Sequence, residues 1–454
     1  MIVSTAGPGA PRPARPSTAL VLHGGSARRG EGAGTAAQRA TLYAFAAMLF
    51  TLIVLQKFGV PAAGTVASFS LIGFSLSHLY LVFRGVLKLN PVRLILYSLF
   101  LVSAIVSQFF ATLPPSFPSL LLVALIYFIC CFEIQCSRET YLKCLSMFQN
   151  AIVGVCGLTL LQHAIQIVWS ADYWINLDEL IPPSFRYVQF VYLQPLEWGS
   201  RFYKPNAYFF LEVSILSQFV GMALLIEVIW FQRLWRLALY SVVMLSAFAG
   251  TGLLLVLSAM PLVLLRTSPR VAGLLAAALL ILPPAVFLSG WYEAVQHRIT
   301  ELNRPNTSGN QRFVAPVIEM REFYKRPEAI YSGKGAGNIL QNPDIVWWSL
   351  AKVSVEYGLI STVLFHIFLI HMLFSRTPTR RLALGLLVSF VFLNGSLAVP
   401  VNGFICYLLA GLLRPDLSIR RLNPGGLWAT AFDPRRYDQD GVARGSIPQR
   451  SATG

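Results

Sequence analysis

The sequence predicts an all-α polytopic membrane protein with about twelve transmembrane helices and two long periplasmic loops. Three observations predict it. Only 12% of the 454 residues are charged and 55% are hydrophobic, whereas a soluble domain carries roughly a quarter charged residues. The apolar residues come in runs of about 15–25, enough to cross roughly 30 Å of hydrocarbon as helix. The basic residues punctuate those runs and fall on alternate sides of them. Helices are the required form, because the edge of an open sheet has no hydrogen-bond partner in lipid.

The chain opens with residues 1–40, rich in Ala, Gly, Pro and Arg. They lack the apolar core of a signal peptide and read as a disordered cytoplasmic tail with no cleavable leader. A transmembrane domain follows over 41–413. Its spans are read at 41–57, 63–83, 93–111, 117–133, 149–169, 207–230, 234–248, 251–265, 271–290, 347–374, 381–397 and 400–413. The polar segment 414–454 reads as a second cytoplasmic tail.

With the N-terminus inside, about 24 Lys and Arg residues fall on the inner side. They lie between Arg12 and Arg39, between Arg84 and Arg93, at Arg138 and Lys143, at Arg233 and Arg236, at Arg266 and Arg270, between Arg376 and Arg381, and from Arg414 onward. The short outer connections carry Lys57 alone. This alternation is the positive-inside pattern, and it places both termini inside. It also turns the net charge of +16 away from a nucleic-acid reading, because the basic residues punctuate the apolar spans.

Spans seven and eight have only about 15 residues each, roughly 23 Å of helix. They meet at Ala249-Gly250-Thr251-Gly252. That turn is either a tight hairpin or backbone sunk below the outer surface, where protein or a water-filled cavity must surround it.

Two outer segments, about 170–206 and 291–346, are far longer than the rest. They contain Arg186, Arg201, Lys204, Arg298, Arg304, Arg312, Arg321, Lys325, Arg326 and Lys334. Long loops escape the charge rule, and in a compact protein they usually carry function. Function is therefore expected outside. A guanidinium grips phosphate oxygens with two parallel bonds and keeps its charge at any physiological pH. The set Arg201, Lys204, Arg304, Arg312 and Arg321 suits a pyrophosphate at the membrane surface; the alternatives are a solvated loop or contact with lipid headgroups. Gly333-Lys-Gly-Ala-Gly337 offers backbone N–H groups to an anion, or forms a plain turn; it lacks the Gly-Lys-Ser/Thr pattern of a nucleotide P-loop.

Charges inside the spans come next. Glu212 lies about five residues into span six, roughly 8 Å deep, with Arg201 or Lys204 as its only sequence-local partners. Lys352 and Glu356 stand four residues apart on one helix face, the spacing of a structural ion pair. His163, between Gln162 and Gln166, and His297 titrate near neutral pH when solvated, but each is also placed as an interhelical or surface histidine. Glu212, His163 and Asp344 are the candidate proton acceptors. The six cysteines avoid both long loops, so no structural disulfide is expected. No Cys/His zinc spacing, HExxH, Walker or GxGxxG motif occurs, and neither a metal nor a cofactor is expected.

Lys204-Pro-Asn206-Ala-Tyr-Phe-Phe-Leu-Glu212-Val-Ser214 resembles a segment of the O-antigen polymerase and ligase superfamily of bacterial surface-polysaccharide enzymes. There a basic residue precedes Asn-Gly, aromatics and Glu-Pro-Ser; here Ala207 replaces the Gly and Val213 the Pro. Ser246-Ala-Phe-Ala-Gly-Thr-Gly252 resembles the family's Ser/Gly-rich turn. Ser308-Gly-Asn-Gln-Arg312, Gly333-Lys-Gly-Ala-Gly337 and Glu356-Tyr-Gly358-Leu-Ile-Ser361 resemble its second-loop signature. The resemblance covers about 200–361 of the chain.

It implies metal-independent transfer of a glycan from undecaprenyl diphosphate at the periplasmic face of the bacterial inner membrane. Arg201 or Lys204, and Arg312, match the family's diphosphate-contacting basic positions. The implied partners are the lipid-linked oligosaccharide, a flippase and a chain-length regulator. Ligases of the group carry a functional His about nine residues before Glu-x-Gly; this chain has Trp347 there. That departure favours a polymerase of lipid-linked repeat units over a ligase. A polysaccharide flippase or exporter is the further alternative, and it calls for polar residues through the full membrane depth.

Overall fold

The computed structural model describes residues 26–62, 65–187, 193–196, 200–247, 249–264, 273, 300, 304, 307, 309–341, 345–378, 380–393 and 397–415. Span 271–290 apart from residue 273, both tails beyond 26–415, and the candidates His297 and Asp344 lie outside the described residues.

Four of the early helices start where the sequence offers a cap. After α1 (Ser26–Ile53) comes a hairpin, β1 (Gly59–Ala62) with β2 (Thr65–Ser68). Ser68 then caps α2 (Phe69–Phe83) by accepting from Ser70 N. Beyond β3 (Leu87–Leu89), Asn90 caps α3 (Pro91–Phe109), whose first residue is a proline that needs no N–H there. Ser116 caps α4 (Phe117–Ile129) and, past β4 (Phe132–Cys136), Ser137 caps α5 (Arg138–Val168). The α5 cap lies well before the apolar stretch read at 149–169, so the helix runs 31 residues and its first turns carry Arg138 and Lys143.

The first long loop contains the single-turn α6 (Leu177–Leu180). Then come α7 (Val213–Ile226), continued by the π turn Glu227–Phe231, α8 (Leu234–Ser246) and α9 (Gly250–Leu264). The second long loop holds α10 (Ala315–Phe323) and leads into α11 (Ser349–Phe374). The described residues close with α12 (Arg380–Val388), α13 (Pro400–Cys406) and β5 (Leu413–Pro415). The last two helices each end in a π turn, Ser389–Leu393 and Tyr407–Gly411.

The architecture is thus helical, and among the described residues five stretches are long and apolar enough to cross a membrane: Thr35–Ile53, Pro91–Phe109, Arg138–Val168, Val213–Phe231 and Ser349–Phe374. α7 is the central helix; each of its fourteen residues is buried. Gln149 of α5 ties three helices around it, donating to Ala223 O of α7 at 2.8 Å and accepting from Tyr240 Oη of α8 at 2.6 Å. Leu76, Leu79 and Phe83 of α2 and Leu121 of α4 point outward as exposed apolar side chains, as lipid contact requires.

One end of the bundle carries a small sheet that the all-α expectation did not include. β4 pairs antiparallel with β3 (Lys88 opposite Glu133) and parallel with β5 (Gln135 opposite Arg414). The strands are short and created by tertiary contact. Arg93, fully buried, donates to the carbonyls of Cys130, Phe132, Met372 and Gly411 at 2.9–3.3 Å. Arg414 donates to Ala410 O and Met372 O, and Glu133 sits between the two arginines at 3.8 and 3.5 Å. Helix C-termini leave carbonyls without partners and carry negative partial charge, so a buried guanidinium is stable there. The opposite end carries both long loops.

Candidate functional site

The two long loops meet at the N-terminus of α7. Glu212 is the last extended residue before that helix (φ −153°, ψ 163°). Its carboxylate accepts from Ser214 Oγ and faces Arg312, with Nη2 3.5 Å from Oε2. The two side chains are 21% and 16% exposed, so the pair is sheltered yet reachable. Arg312 is carried by the π turn Asn310–Val314, which runs directly into α10. A hydrogen bond from Val346 N to Gln311 O (3.0 Å) fixes that turn against the approach to α11.

Buried glutamines make α7 begin at Val213 rather than near 207. Gln162 accepts from Ala207 N at 2.7 Å and donates to Asn206 Oδ1 at 3.2 Å. One turn along α5, Gln166 accepts from Tyr203 N at 2.7 Å and donates to Tyr203 O at 3.1 Å. Gln56, at the end of α1, accepts from Leu211 N at 3.2 Å. Each primary amide thus replaces a helical partner for a loop amide. The backbone bends sharply between them: Ala207 (φ 49°) and Tyr208 (φ 63°) both occupy the left-handed region.

The Gly-rich turn packs on the same end of α7. Thr251 Oγ1 donates to Ser214 O at 3.0 Å, and Gly252 N donates to Ser217 Oγ at 3.0 Å. A Cβ on Gly252 would lie 2.2 Å from Ser217 O, so glycine is what lets the helices touch here. The turn is therefore enclosed by protein on this side.

In the second loop, the amides of Gly333–Gly337 are used within the protein. Lys334 N and Gly335 N donate to Val355 O and Glu356 O, at 2.7 and 3.3 Å. Ala336 N reaches Gln108 Oε1 at 2.7 Å, and Gly337 N reaches Glu356 Oε1 at 3.1 Å. The anion facing these amides is the protein's own Glu356, which also lies 3.7 Å from Lys352 Nζ. α11 is broken at Gly358 (φ 81°, ψ 175°), and the strap takes up the carbonyls that the break leaves without helical partners. On its other side, Gly333 O, Lys334 O and Ala336 O accept from Thr112, Leu113 and Ser116 between α3 and α4.

The other sequence candidates scatter. Arg201, Arg304 and Arg321 are exposed. Lys204 is half-buried, its amide bonded to Gln194 O at 2.8 Å. Lys334 lies 3.1 Å from Glu319 on α10. His163 Nε2 is 2.9 Å from Ser246 O, a contact that ties α5 to α8 near the same end. The structure therefore joins Glu212 and Arg312 and holds Lys352 with Glu356; among the described residues no ion pair ties Arg201, Arg304 or Arg321 to either pair.

A buried pair beside the first loop escaped the sequence reading. Lys57, just beyond α1, meets Asp178 of α6 at 3.1 Å, with side chains only 2% and 5% exposed. Burial pushes the Lys57 pKa down, and the Asp178 carboxylate counters it. This clasp fixes the first loop beside Gln56. Its only sequence signal was Lys57 standing alone among the short outer connections. Among the described residues no group of His, Cys, Asp and Glu is arranged to hold a metal ion. No protein-family model, curated protein or solved structure matches the chain.

Proposed function

We propose that this chain is an inner-membrane enzyme of about twelve spans that polymerises oligosaccharide repeat units carried on undecaprenyl diphosphate, acting at the periplasmic face. Both termini are cytoplasmic in this reading, and 170–206 and 291–346 are the periplasmic loops. The observation that carries it is the meeting of Arg312 and Glu212 at the start of α7. They are a fixed cation from the second long loop and a carboxylate from the start of span six, at one sheltered position.

The chemistry requires those two kinds of group. An acceptor sugar hydroxyl attacks the anomeric carbon of the donor glycan. The bond from that carbon to the diphosphate oxygen breaks, and undecaprenyl diphosphate leaves with the electron pair. Arg312 stabilises the negative charge developing on the leaving group, a role that a fixed guanidinium fills without a metal. Glu212, adjacent to it, is placed to take the acceptor's proton. His163 is the second candidate for that proton, although its Nε2 is bonded to a carbonyl. The order of motifs from Lys204 to Ser361 supports the same family of reactions. Trp347, standing where ligases carry histidine, supports polymerisation over ligation.

Deletion followed by glycan analysis tests the reading. The expected result is accumulation of single repeat units on the carrier lipid. Long polymer left on the carrier would assign ligation instead. Repeat units retained on the cytoplasmic leaflet would assign export. Long, transferred polymer at the normal level would contradict all three.

A further inference from the structure

The exposed face of the second loop is apolar where a solvated loop would be polar. Val317 and Ile318 on α10 are 49% and 54% exposed, and Ile330 and Tyr331 just beyond are 53% and 52% exposed. α10 turns Pro316 and Phe323 inward and these two aliphatic residues outward. The apolar surface continues into the bundle. The Tyr331 ring meets Phe110 edge-on, with centroids 5.9 Å apart. Phe110 lies at the end of α3, next to Phe109 at 81% exposure, and α4 begins with Phe117 at 69% exposure. These belong to the apolar outer surface of the helices, so the loop patch is an extension of the surface that lipid covers.

The charges agree. Arg321, Lys325 and Arg326 are exposed on the same segment, with Glu322, paired to Lys325 at 2.7 Å, as the exposed acid between them. A short helix with exposed aliphatic side chains and adjoining cations is the pattern of a segment lying in the bilayer interface. Its apolar groups enter the acyl boundary and its cations meet acidic headgroups.

We infer that α10 and the turn through Tyr331 are docked on the bilayer surface, with acidic phospholipid headgroups as the partner of Arg321, Lys325 and Arg326. The segment that carries Arg312 is thereby held at headgroup depth. This inference needs the membrane reading alone and stands whether or not the glycan reading does.

Nitroxide labels on the full-length protein in vesicles of phosphatidylethanolamine and phosphatidylglycerol test it. The cysteine variants are I318C and I330C, with L121C as the lipid reference and R304C as the aqueous one. Five of the six native cysteines are buried, and the variants are built in a Cys136→Ser background, so labelling is directed to the introduced thiol. Collision rates with oxygen and with a water-soluble nickel chelate report depth. The expected oxygen-to-nickel ratio at I318C and I330C is several-fold above that at R304C. It falls toward the R304C value in the R321Q/K325Q/R326Q background or in purely zwitterionic vesicles. Three results would overturn the inference: a ratio equal to that at R304C, which means a solvated loop; low collision rates with both reagents, which means a protein partner or second copy covers the face; or a high ratio indifferent to the three cations and to lipid charge.

Discussion

At the residue scale, the site is defined by one ion pair and by the backbone that presents it. Arg312 and Glu212 are a hundred positions apart and meet only because each loop is independently held. The Glu212 side is held at a local cost. Ala207 has a left-handed backbone in a buried position where the resembled family has glycine. A left-handed residue with a Cβ is strained by roughly 1–2 kcal/mol. Ala207→Gly is therefore expected to stabilise the protein by about 1 kcal/mol, read as a higher unfolding midpoint in detergent. An unchanged or lower midpoint would show that the Gln162 bonds leave no strain to relieve. The Lys57–Asp178 pair makes the opposite prediction. Removing one partner of a buried pair leaves an uncompensated charge, so Lys57→Met should destabilise by about 3–5 kcal/mol. Lys57→Met combined with Asp178→Leu should recover most of that loss, measured by the same unfolding midpoint.

At the element scale, the second loop is fastened to α11 through backbone contact. A Cβ on Gly333 would lie 2.1 Å from Glu356 O, and nothing lies within 4 Å of a Cβ on Gly250. Gly333→Ala should therefore cost about 1–3 kcal/mol or more, and Gly250→Ala little, measured as the folded fraction by size exclusion. Comparable loss in both variants would contradict the strap geometry. This scale also shows what the sequence could and could not convey. The Lys352–Glu356 contact follows from a four-residue helical spacing and was legible. The glycines of 333–337 read either as a plain turn or as a place for amides to face an anion; that Gly337 N meets Glu356 of the same protein is a choice made by tertiary packing. Gln162 and Gln166 stood in view four residues apart. Their partners, 37 to 45 residues on, were not, and so span six was read as starting at 207. The sheet of β3, β4 and β5 was illegible, because strands of three to five residues leave no alternating pattern to read.

At the scale of the whole molecule, the apolar runs gave the long helices nearly directly, since hydrophobicity over about twenty residues outweighs any local propensity. The ends of the bundle were less legible. Arg93 and Arg414, counted as inner-side charges, are buried among helix C-terminal carbonyls and Glu133. The proposed orientation makes a separable prediction. A cysteine at exposed Arg304 should react with a membrane-impermeant thiol reagent in intact spheroplasts. A cysteine in the C-terminal tail should react only after permeabilisation. Labelling of the tail in intact spheroplasts would reverse the topology.

The measurement closest to the central claim is the glycan profile of a deletion strain complemented with Arg312 variants at matched protein level. The account predicts polymer with wild type, none with Arg312→Ala, and a reduced amount with Arg312→Lys, because an ammonium cannot form the two-pronged contact. Full-length polymer from Arg312→Ala would contradict it.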